Sequence, residues 1–210
     1  TPGVHTKDDI HDFIQRIDDL RMLATEYNID ILDGCELFLN HDYQKALDQN
    51  LFIPIENTQY VLVEFDVRKE IGNEQEVEER LYDVQFKGYT PIIAHVERYF
   101  KNGLIESGCI IQVNATSFLG YHGKQAKKIA FQLLDEGLIH VIATDTHRAT
   151  GSRKPCLNKI FYLLEKKYNY HAIHTLMSEN PLHILKNEWL EPVYARESFF
   201  KKLAKKLKSK

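Results

Sequence analysis

The chain has 210 residues, a hydrophobic content of 43%, a charged content of 27% and a formal net charge of −3, values that are ordinary for a soluble globular protein. No stretch approaches the roughly 18 uninterrupted apolar residues that a membrane-spanning helix needs, and the first residues show no secretory signal pattern. The last 15 residues carry a net charge of +6, so the rest of the chain is acidic, which argues against the basic footprint of a nucleic-acid-binding domain.

Hydrophobic periodicity predicts helices that alternate with short strands. A helical pattern runs through "DIHDFIQRIDDLRMLATEYN", and Asp8 and Asp9 are placed to cap its start. Further helices are predicted over "GNEQEVEERLYDVQFKG", which Gly88 ends, over "GKQAKKIAFQLLDEG", from about Cys156 to Met177 and from Pro181 to Lys186. Strands are predicted, in chain order, at "IDILDGCELF", "NTQYVLVEFDV", "TPIIAHVERY", "CIIQVNATS" and "LIHVIATDTH".

This alternation predicts the fold class. Nearly continuous apolar strands separated by helices are typical of a parallel α/β sheet or barrel. The sequence has no glycine-rich phosphate turn after an early strand, which favours a barrel over an open doubly wound sheet. It has no Gly/Ser linker or Pro-rich stretch, so we expect one domain over residues 1–190 and a basic tail over residues 191–210.

Carboxylate and imidazole side chains stand at the predicted carboxyl ends of the strands. They are Glu36, Glu64, His95, Asp145 and His147. His5 lies just before the first helix, where another strand end is expected. In a parallel barrel these ends form one face, which carries the active site. Each side chain alone also has a plainer structural interpretation, but their common location favours a site.

The chemistry of this set favours transition-metal binding. Nitrogen and oxygen donors without a thiolate suit Mn²⁺, Fe²⁺ or Zn²⁺ better than Ca²⁺. Several carboxylates allow a cluster of two or three metals, which could clamp a phosphoryl or acyl group. Arg98 and Arg153 could hold phosphate oxygens, with surface ion pairing as the alternative for both. The sequence lacks a Gly-x-Ser-x-Gly elbow, a Cys followed six positions later by Arg, and a Walker-type loop.

The segments "GCELF", "VLVEF", "PIIAHVERY", "QVNAT" and "HVIATDTH" also carry a family resemblance. From about residue 1 to about residue 187, the sequence resembles the bacterial manganese-dependent protein-tyrosine phosphatases of the CpsB/CapC type, in the polymerase-and-histidinol-phosphatase (PHP) superfamily. The resemblance implies a distorted (β/α) barrel with a multinuclear Mn²⁺ cluster, with Fe or Zn as alternative metals.

The resemblance also implies residue roles. It makes Glu36, Glu64, His95, Asp145 and His147 metal ligands. It implies that Arg98 binds the substrate phosphate, that Arg153 assists, and that a metal-bound hydroxide attacks without a phosphoenzyme.

Two departures from the family pattern lie near the start of the sequence. The family's first strand carries His-x-His and then an Asp, and this sequence begins after that point. We therefore expect a barrel without its first βα unit and without those three ligands. The family places a ligand histidine directly after Thr-Pro, where this sequence has Gly3; His5 is the alternative ligand.

The implied substrate is phosphotyrosine on a membrane-anchored bacterial tyrosine autokinase that regulates capsule or exopolysaccharide synthesis. The three widely spaced cysteines fit a cytoplasmic location, because they suit a reducing compartment. One alternative is a PHP-type phosphoesterase acting on a small phosphate monoester such as histidinol phosphate. Another is a truncated, non-catalytic homologue that kept the fold and lost the cluster. The sequence leaves the oligomeric state open.

The tail "RESFFKKLAKKLKSK" alternates apolar residues with lysines. That pattern is typical of a peripheral helix at a membrane surface or of a docking helix for an acidic partner. The plainer interpretation is a solvated terminus.

Overall fold

The computed structural model describes residues 5–40, 42–66, 71–99, 108–151, 153–190 and 193–196. The chain divides into two compact units: the first comprises residues 1–94, 99–110 and 184–189, and the second comprises residues 95–98, 111–183 and 190–210. Gly3 and tail residues 197–210 lie outside the described residues. Among those described, no helix is both long enough and apolar enough to cross a bilayer.

Parallel strands and helices build the first unit. Its elements are α1 (Lys7–Ala24), β1 (Glu36–Phe38), α2 (Tyr43–Gln49), β2 (Tyr60–Glu64), α3 (Glu74–Phe86) and β3 (Thr90–Ile93). Strand β2 lies between β1 and β3 and pairs in parallel with both. Its Tyr60, Val61 and Val63 are fully buried. Helix α3 packs against β3 and buries three apolar side chains, so this strand layer forms the core of the unit.

Helix α1 begins with a capping box, in which Asp9 takes part as predicted and Thr6 is the second residue. The Asp9 carboxylate accepts a hydrogen bond from the Thr6 N–H at 2.8 Å, and the Thr6 hydroxyl accepts one from the Asp9 N–H at 3.2 Å. The helix itself is confirmed, but Ala24 is its only buried residue. Met22 and Leu23 are exposed.

The second unit contains another parallel strand pair. Its elements are β4 (Ile110–Asn114), α4 (Ala115–Leu119), α5 (Gly123–Glu136), β5 (Val141–Ala143), α6 (Leu157–Leu164), α7 (Tyr170–His174), a π-helical turn (Thr175–Glu179) and α8 (Asn180–Leu185). All five residues of β4 are buried. Asn114 pairs with Ala143 in the register of β4 with β5, so the carboxyl ends of these two strands lie side by side.

Helix α5 shows how the second unit closes its core. The helix buries Ala126, Ala130, Leu133 and Leu134, which share one face at helical spacing. Gly137 ends the helix at a φ of 75°, and a Cβ atom there would lie 2.6 Å from the ring of Tyr194. The left-handed backbone favours glycine at this position, and a larger residue would also have to displace the exposed ring of Tyr194.

The α/β class and the positions of the predicted strands are confirmed. The strands are shorter than predicted, at the start in the case of β1 and at the carboxyl end in the case of β3. The helical patterns predicted from about Cys156 to Met177 correspond to α6, α7 and the π-helical turn, with a break at residues 165–169. Helices α2 and α4 were not predicted; both are short, and α4 follows β4 without a connecting loop.

Candidate metal centre

The carboxylates of Glu36 and Glu64 come from neighbouring strands. In the parallel register Glu36 pairs with Leu62 and Phe38 pairs with Glu64. Side chains two positions apart on a strand share a face. Glu36 and Glu64 therefore project from the same face of the strand layer.

The predicted position of Glu36 in its strand needs a correction. The sequence pattern placed it at the carboxyl end of a strand, whereas β1 begins at this residue. The preceding residues bond to an irregular segment instead: the Cys35 N–H donates to the Ile53 carbonyl, and the Glu56 N–H donates to the Asp33 carbonyl, both at 3.1 Å. These bonds use backbone groups that a longer strand would have given to the ladder.

His95 follows β3 after one residue. The Ala94 N–H still bonds to the Val63 carbonyl at 2.9 Å, whereas His95 turns to a φ of 37°, in the left-handed region that side chains other than glycine seldom adopt. The residue is 2% exposed. Burial, and next the charge of Arg98, lower the pKa of His95 to about 4. Its imidazole is therefore neutral at neutral pH, which is the protonation state that binds metals.

Glu36, Glu64 and His95 form a group that could hold a metal ion. Each offers one ligand atom, and these atoms all lie within 4.8 Å of one another. Two carboxylate oxygens and one imidazole nitrogen suit Mn²⁺, Fe²⁺ or Zn²⁺. The donor chemistry therefore fits the predicted kind of metal.

Asp145 follows β5 and is held by three side chains. Its Oδ2 accepts hydrogen bonds from Asn114 Nδ2 at 2.8 Å and from Arg153 Nη2 at 2.6 Å, and its Oδ1 lies 2.9 Å from His147 Nε2. Burial raises the pKa of Asp145, but the bonds from Arg153 and Asn114 outweigh burial and leave that pKa below its ordinary value. The backbone is again left-handed, at a φ of 49°.

The loop after Asp145 folds back on itself. The N–H groups of His147 and Arg148 both donate to the Arg153 carbonyl, at 3.0 and 3.3 Å. His147 is half-exposed, whereas the Asp145 side chain is only 10% exposed. The structure thus brings three of the predicted site residues, Asp145, His147 and Arg153, into one cluster.

Arg98 and His5 occupy different surroundings. Arg98 ends a 3-10 turn, Val96–Arg98, that starts next to His95, and its N–H donates to the His95 carbonyl at 2.9 Å. His5 is exposed, and its N–H donates to the Asp9 carboxylate at 2.9 Å. His5 is not a member of the three-residue group found among the described residues, so its role as a ligand stays a prediction.

The sequence analysis assigned no role to three polar residues of the second unit that are buried or half-buried. Gln112 lies inside β4, where it is 5% exposed. Glu97 accepts hydrogen bonds from the Asn114 N–H and the Ser117 hydroxyl, and burial raises its pKa to about 7. His122 lies 2.9 Å from the Thr116 hydroxyl. The position of a glutamine between apolar residues of β4 was the sequence signal that could have identified Gln112.

Comparison with known proteins identifies the family. The family model described as "Capsular polysaccharide synthesis, CpsB/CapC" matches residues 3–186. The chain is 28% identical over 192 residues to tyrosine-protein phosphatase YwqE of Bacillus subtilis. This alignment covers 85% of this chain and 74% of YwqE. It is 28% identical over 184 residues to tyrosine-protein phosphatase CpsB of Streptococcus pneumoniae, covering 80% and 74% of the two chains.

The fold agrees with a solved relative. The structure superposes with a TM-score of 0.72 and 27% identity on a chain from the crystal structures of YwqE and CpsB, described as unique metal-dependent tyrosine phosphatases; the match covers 88% of this chain and 77% of that one. The predicted fold class is therefore confirmed. The family match over most of the length, together with this superposition, shows that the chain belongs to the CpsB/CapC family.

Proposed function

We propose that this chain is a metal-dependent protein-tyrosine phosphatase. The observation that carries the proposal is the convergence of Glu36, Glu64 and His95 ligand atoms in a member of the CpsB/CapC family. The relatives' names as tyrosine-protein phosphatases support the substrate class, and the metal dependence of the solved relatives supports the kind of chemistry.

The proposed metal is Mn²⁺, with Fe²⁺ and Zn²⁺ as the other ions that the donors accept. Glu36, Glu64 and His95 would hold one ion, and we propose Asp145, His147 and His5 as further ligands. When bound, the metal would supply Lewis acidity toward the phosphoryl oxygens. Asp145 and His147 already lie in contact with each other, so they offer oxygen and nitrogen donors from one short segment.

Arg98 and Arg153 are the proposed phosphate-binding residues. The positive charges of both lower the pKa of His95, so both lie within electrostatic range of a proposed metal ligand. A guanidinium presents a planar pair of N–H donors that matches phosphate oxygens. Arg153 also donates to Asp145 at 2.6 Å, so it orients a proposed ligand as well as the substrate.

The cysteines support a mechanism without a thiol nucleophile. Cys109 and Cys156 are buried, and burial raises the pKa of Cys156. The Cys35 sulfur accepts a hydrogen bond from the Ile53 N–H at 3.0 Å. A buried thiol with a raised pKa is a poor nucleophile. Cys35, Cys109 and Cys156 form no disulfide, which suits the reducing compartment of our proposed cytoplasmic location.

The proposed partner is a tyrosine-phosphorylated protein of capsule or exopolysaccharide synthesis, and more specifically the membrane-anchored autokinase. The family description supports the process. The finer identity of the partner, the boundary at residue 190 and the role of the basic tail stay predictions.

The test measures phosphate release from a phosphotyrosyl peptide with Mn²⁺ and then with excess chelator. A phosphoseryl peptide and histidinol phosphate serve as comparison substrates. We expect release from phosphotyrosine that needs the metal and exceeds release from the other two. Faster release from histidinol phosphate would replace the proposal by the small-monoester alternative. Less than one tightly bound ion per chain, with no release, would favour the non-catalytic homologue.

A further inference from the structure

We infer that the buried side-chain amides of Gln112 and Asn114 form a positioning relay that orients His95 at one end and Asp145 at the other. This inference rests on the proposed function, because it assigns both end residues to the metal centre. Gln112 and Asn114 are positioning residues in this proposal, because they act through the residues to which they hydrogen-bond.

The relay is a continuous chain of hydrogen bonds. The His95 N–H donates to Gln112 Oε1 at 2.5 Å, Gln112 Nε2 donates to Asn114 Oδ1 at 3.0 Å, and Asn114 Nδ2 donates to Asp145 Oδ2 at 2.8 Å. Gln112 and Asn114 stand two positions apart on β4, so their side chains share one face of the strand. The chain thus crosses the end of β4 from His95 to Asp145.

Each amide in the relay has one allowed orientation. The backbone N–H of His95 can only donate, and the ionised carboxylate of Asp145 can only accept. Gln112 must therefore turn its oxygen to His95 and its nitrogen to Asn114, and Asn114 must turn its nitrogen to Asp145. Reversing either amide would break two hydrogen bonds at once. Both ends of the relay therefore require the same donor-to-acceptor direction, from His95 to Asp145.

Burial makes this direction costly to change. Asn114 is fully buried and Gln112 is 5% exposed, so water cannot replace a lost bond at low cost. Glu97, which is 1% exposed, holds the Asn114 N–H at 3.2 Å. This bond fixes the backbone from which the Asn114 amide extends.

The two residues that the relay joins are also the two with unusual backbones near this strand end. His95 and Asp145 have φ values of 37° and 49°. Such conformations persist where surrounding contacts determine them. The relay contributes a backbone bond to His95 and a side-chain bond to Asp145, so it acts on the orientation of both.

A matched pair of buried asparagines tests the relay. Asn114→Leu removes the donor to Asp145. Asn180→Leu removes a buried amide of the same unit that donates to the His140 carbonyl at 2.7 Å and takes no part in the relay. Both variants should lose stability as metal-free proteins. Only Asn114→Leu should weaken Mn²⁺ binding, measured by titration calorimetry on the whole chain, by about 10- to 100-fold.

A second variant and a metal-free measurement keep the test decisive. Gln112→Met breaks the relay at its middle with a side chain of similar length and should weaken Mn²⁺ binding as Asn114→Leu does. In the metal-free protein, Asn114→Leu should speed hydrogen exchange of the His95 N–H by about 10-fold, because Gln112 loses the partner that orients it. Asn180→Leu should leave that exchange unchanged.

Three outcomes separate this inference from the proposed function. Equal weakening of Mn²⁺ binding by Asn114→Leu and Asn180→Leu would overturn the relay. Unchanged His95 exchange in Asn114→Leu would also overturn it. A wild-type chain that binds Mn²⁺ without releasing phosphate from phosphotyrosine would overturn the proposed function and leave the relay supported by the binding data.

Discussion

The two sets of candidate ligands are placed by different means. Glu36 and Glu64 are placed by the strand register of the first unit, in which Phe38 pairs with Glu64. Asp145 is placed by the side chains of Asn114, His147 and Arg153. Backbone pairing involves every residue of a strand, whereas a side-chain contact depends on a single residue. Substitution of a residue next to Glu36 or Glu64 should therefore change the position of these carboxylates less than substitution of a partner of Asp145 changes the position of Asp145.

The largest expected effect comes from replacing the nitrogen donor of the three-residue group. His95→Asn should reduce phosphate release by more than about 100-fold, the upper range for residues that merely support ligands, and should lower bound Mn²⁺. Asparagine tolerates the left-handed backbone at this position, so the variant tests the ligand and not the turn. Metal analysis and phosphate release measure the effect.

His174→Ala is the matched control for the nitrogen donor, because this histidine pairs with Glu179 at 3.3 Å on the surface. It should behave like wild type. Wild-type Mn²⁺ content in His95→Asn would remove His95 from the proposed ligands.

The next effect concerns phosphate binding. Arg98→Ala should lower phosphate release by about 100-fold or more, which is typical for the loss of one preorganised charge-stabilising donor. Its Mn²⁺ content should stay unchanged. Replacement of the exposed Arg148 of the same unit by alanine controls for the loss of a positive charge. If Arg98→Ala loses metal instead, the residue supports the structure of the centre.

Arg153→Lys tests the difference between the two sets of ligands directly. Lysine keeps the charge but loses the planar fork that donates to Asp145, so Mn²⁺ binding should weaken by about 10-fold. Leu62→Val changes the register neighbour of Glu36 and should leave Mn²⁺ binding unchanged. A stronger effect from Leu62→Val, measured by the same calorimetry, would contradict the contrast between register and side-chain placement.

The smallest effect is a pH dependence of stability. His140 Nδ1 accepts a hydrogen bond from the Ile111 N–H at 3.1 Å, and burial lowers its pKa. Below the ordinary histidine pKa, His140 is protonated in the unfolded chain and stays neutral in the folded chain. The free energy of unfolding should therefore fall as the pH drops through about 6.5. Each pKa unit by which the folded state lowers the His140 pKa corresponds to about 1.4 kcal/mol of unfolding free energy.

Urea unfolding of wild type and His140→Gln at about pH 7.5 and about pH 5.5 measures this effect. Glutamine keeps an acceptor and does not titrate, so its stability should change less with pH. An identical pH dependence in both proteins would show that other groups carry it.

Much of the fold was predictable because it depends on local patterns. The helical spacing around α5 and the glycine that ends α3 are signals within single segments. The positions of Glu64, His95 and Asp145 next to strand ends were predictable for the same reason. The start of β1 at Glu36 was not, because it depends on bonds to Ile53 and the loop around it.

The relay was not predictable from the sequence. Gln112 gains its role from the His95 N–H, 17 residues away, and Asn114 gains its role from Asp145, 31 residues away. Neither contact leaves a periodic signal, since each depends on the turn that the backbone makes after a strand. The hydrogen bonds of Glu97 were not predictable either, because its partners Asn114 and Ser117 come from the end of β4 and from α4.

The left-handed backbone at His95 and Asp145 has a consequence for the divergence of gene copies. A copy released from selection for activity could replace either residue only by those that tolerate this conformation, chiefly glycine, asparagine or aspartate. Valine or isoleucine would destabilise the fold as well as the chemistry. Inactive descendants that still fold should therefore carry glycine, asparagine or aspartate at both positions, as a lasting mark of the lost centre.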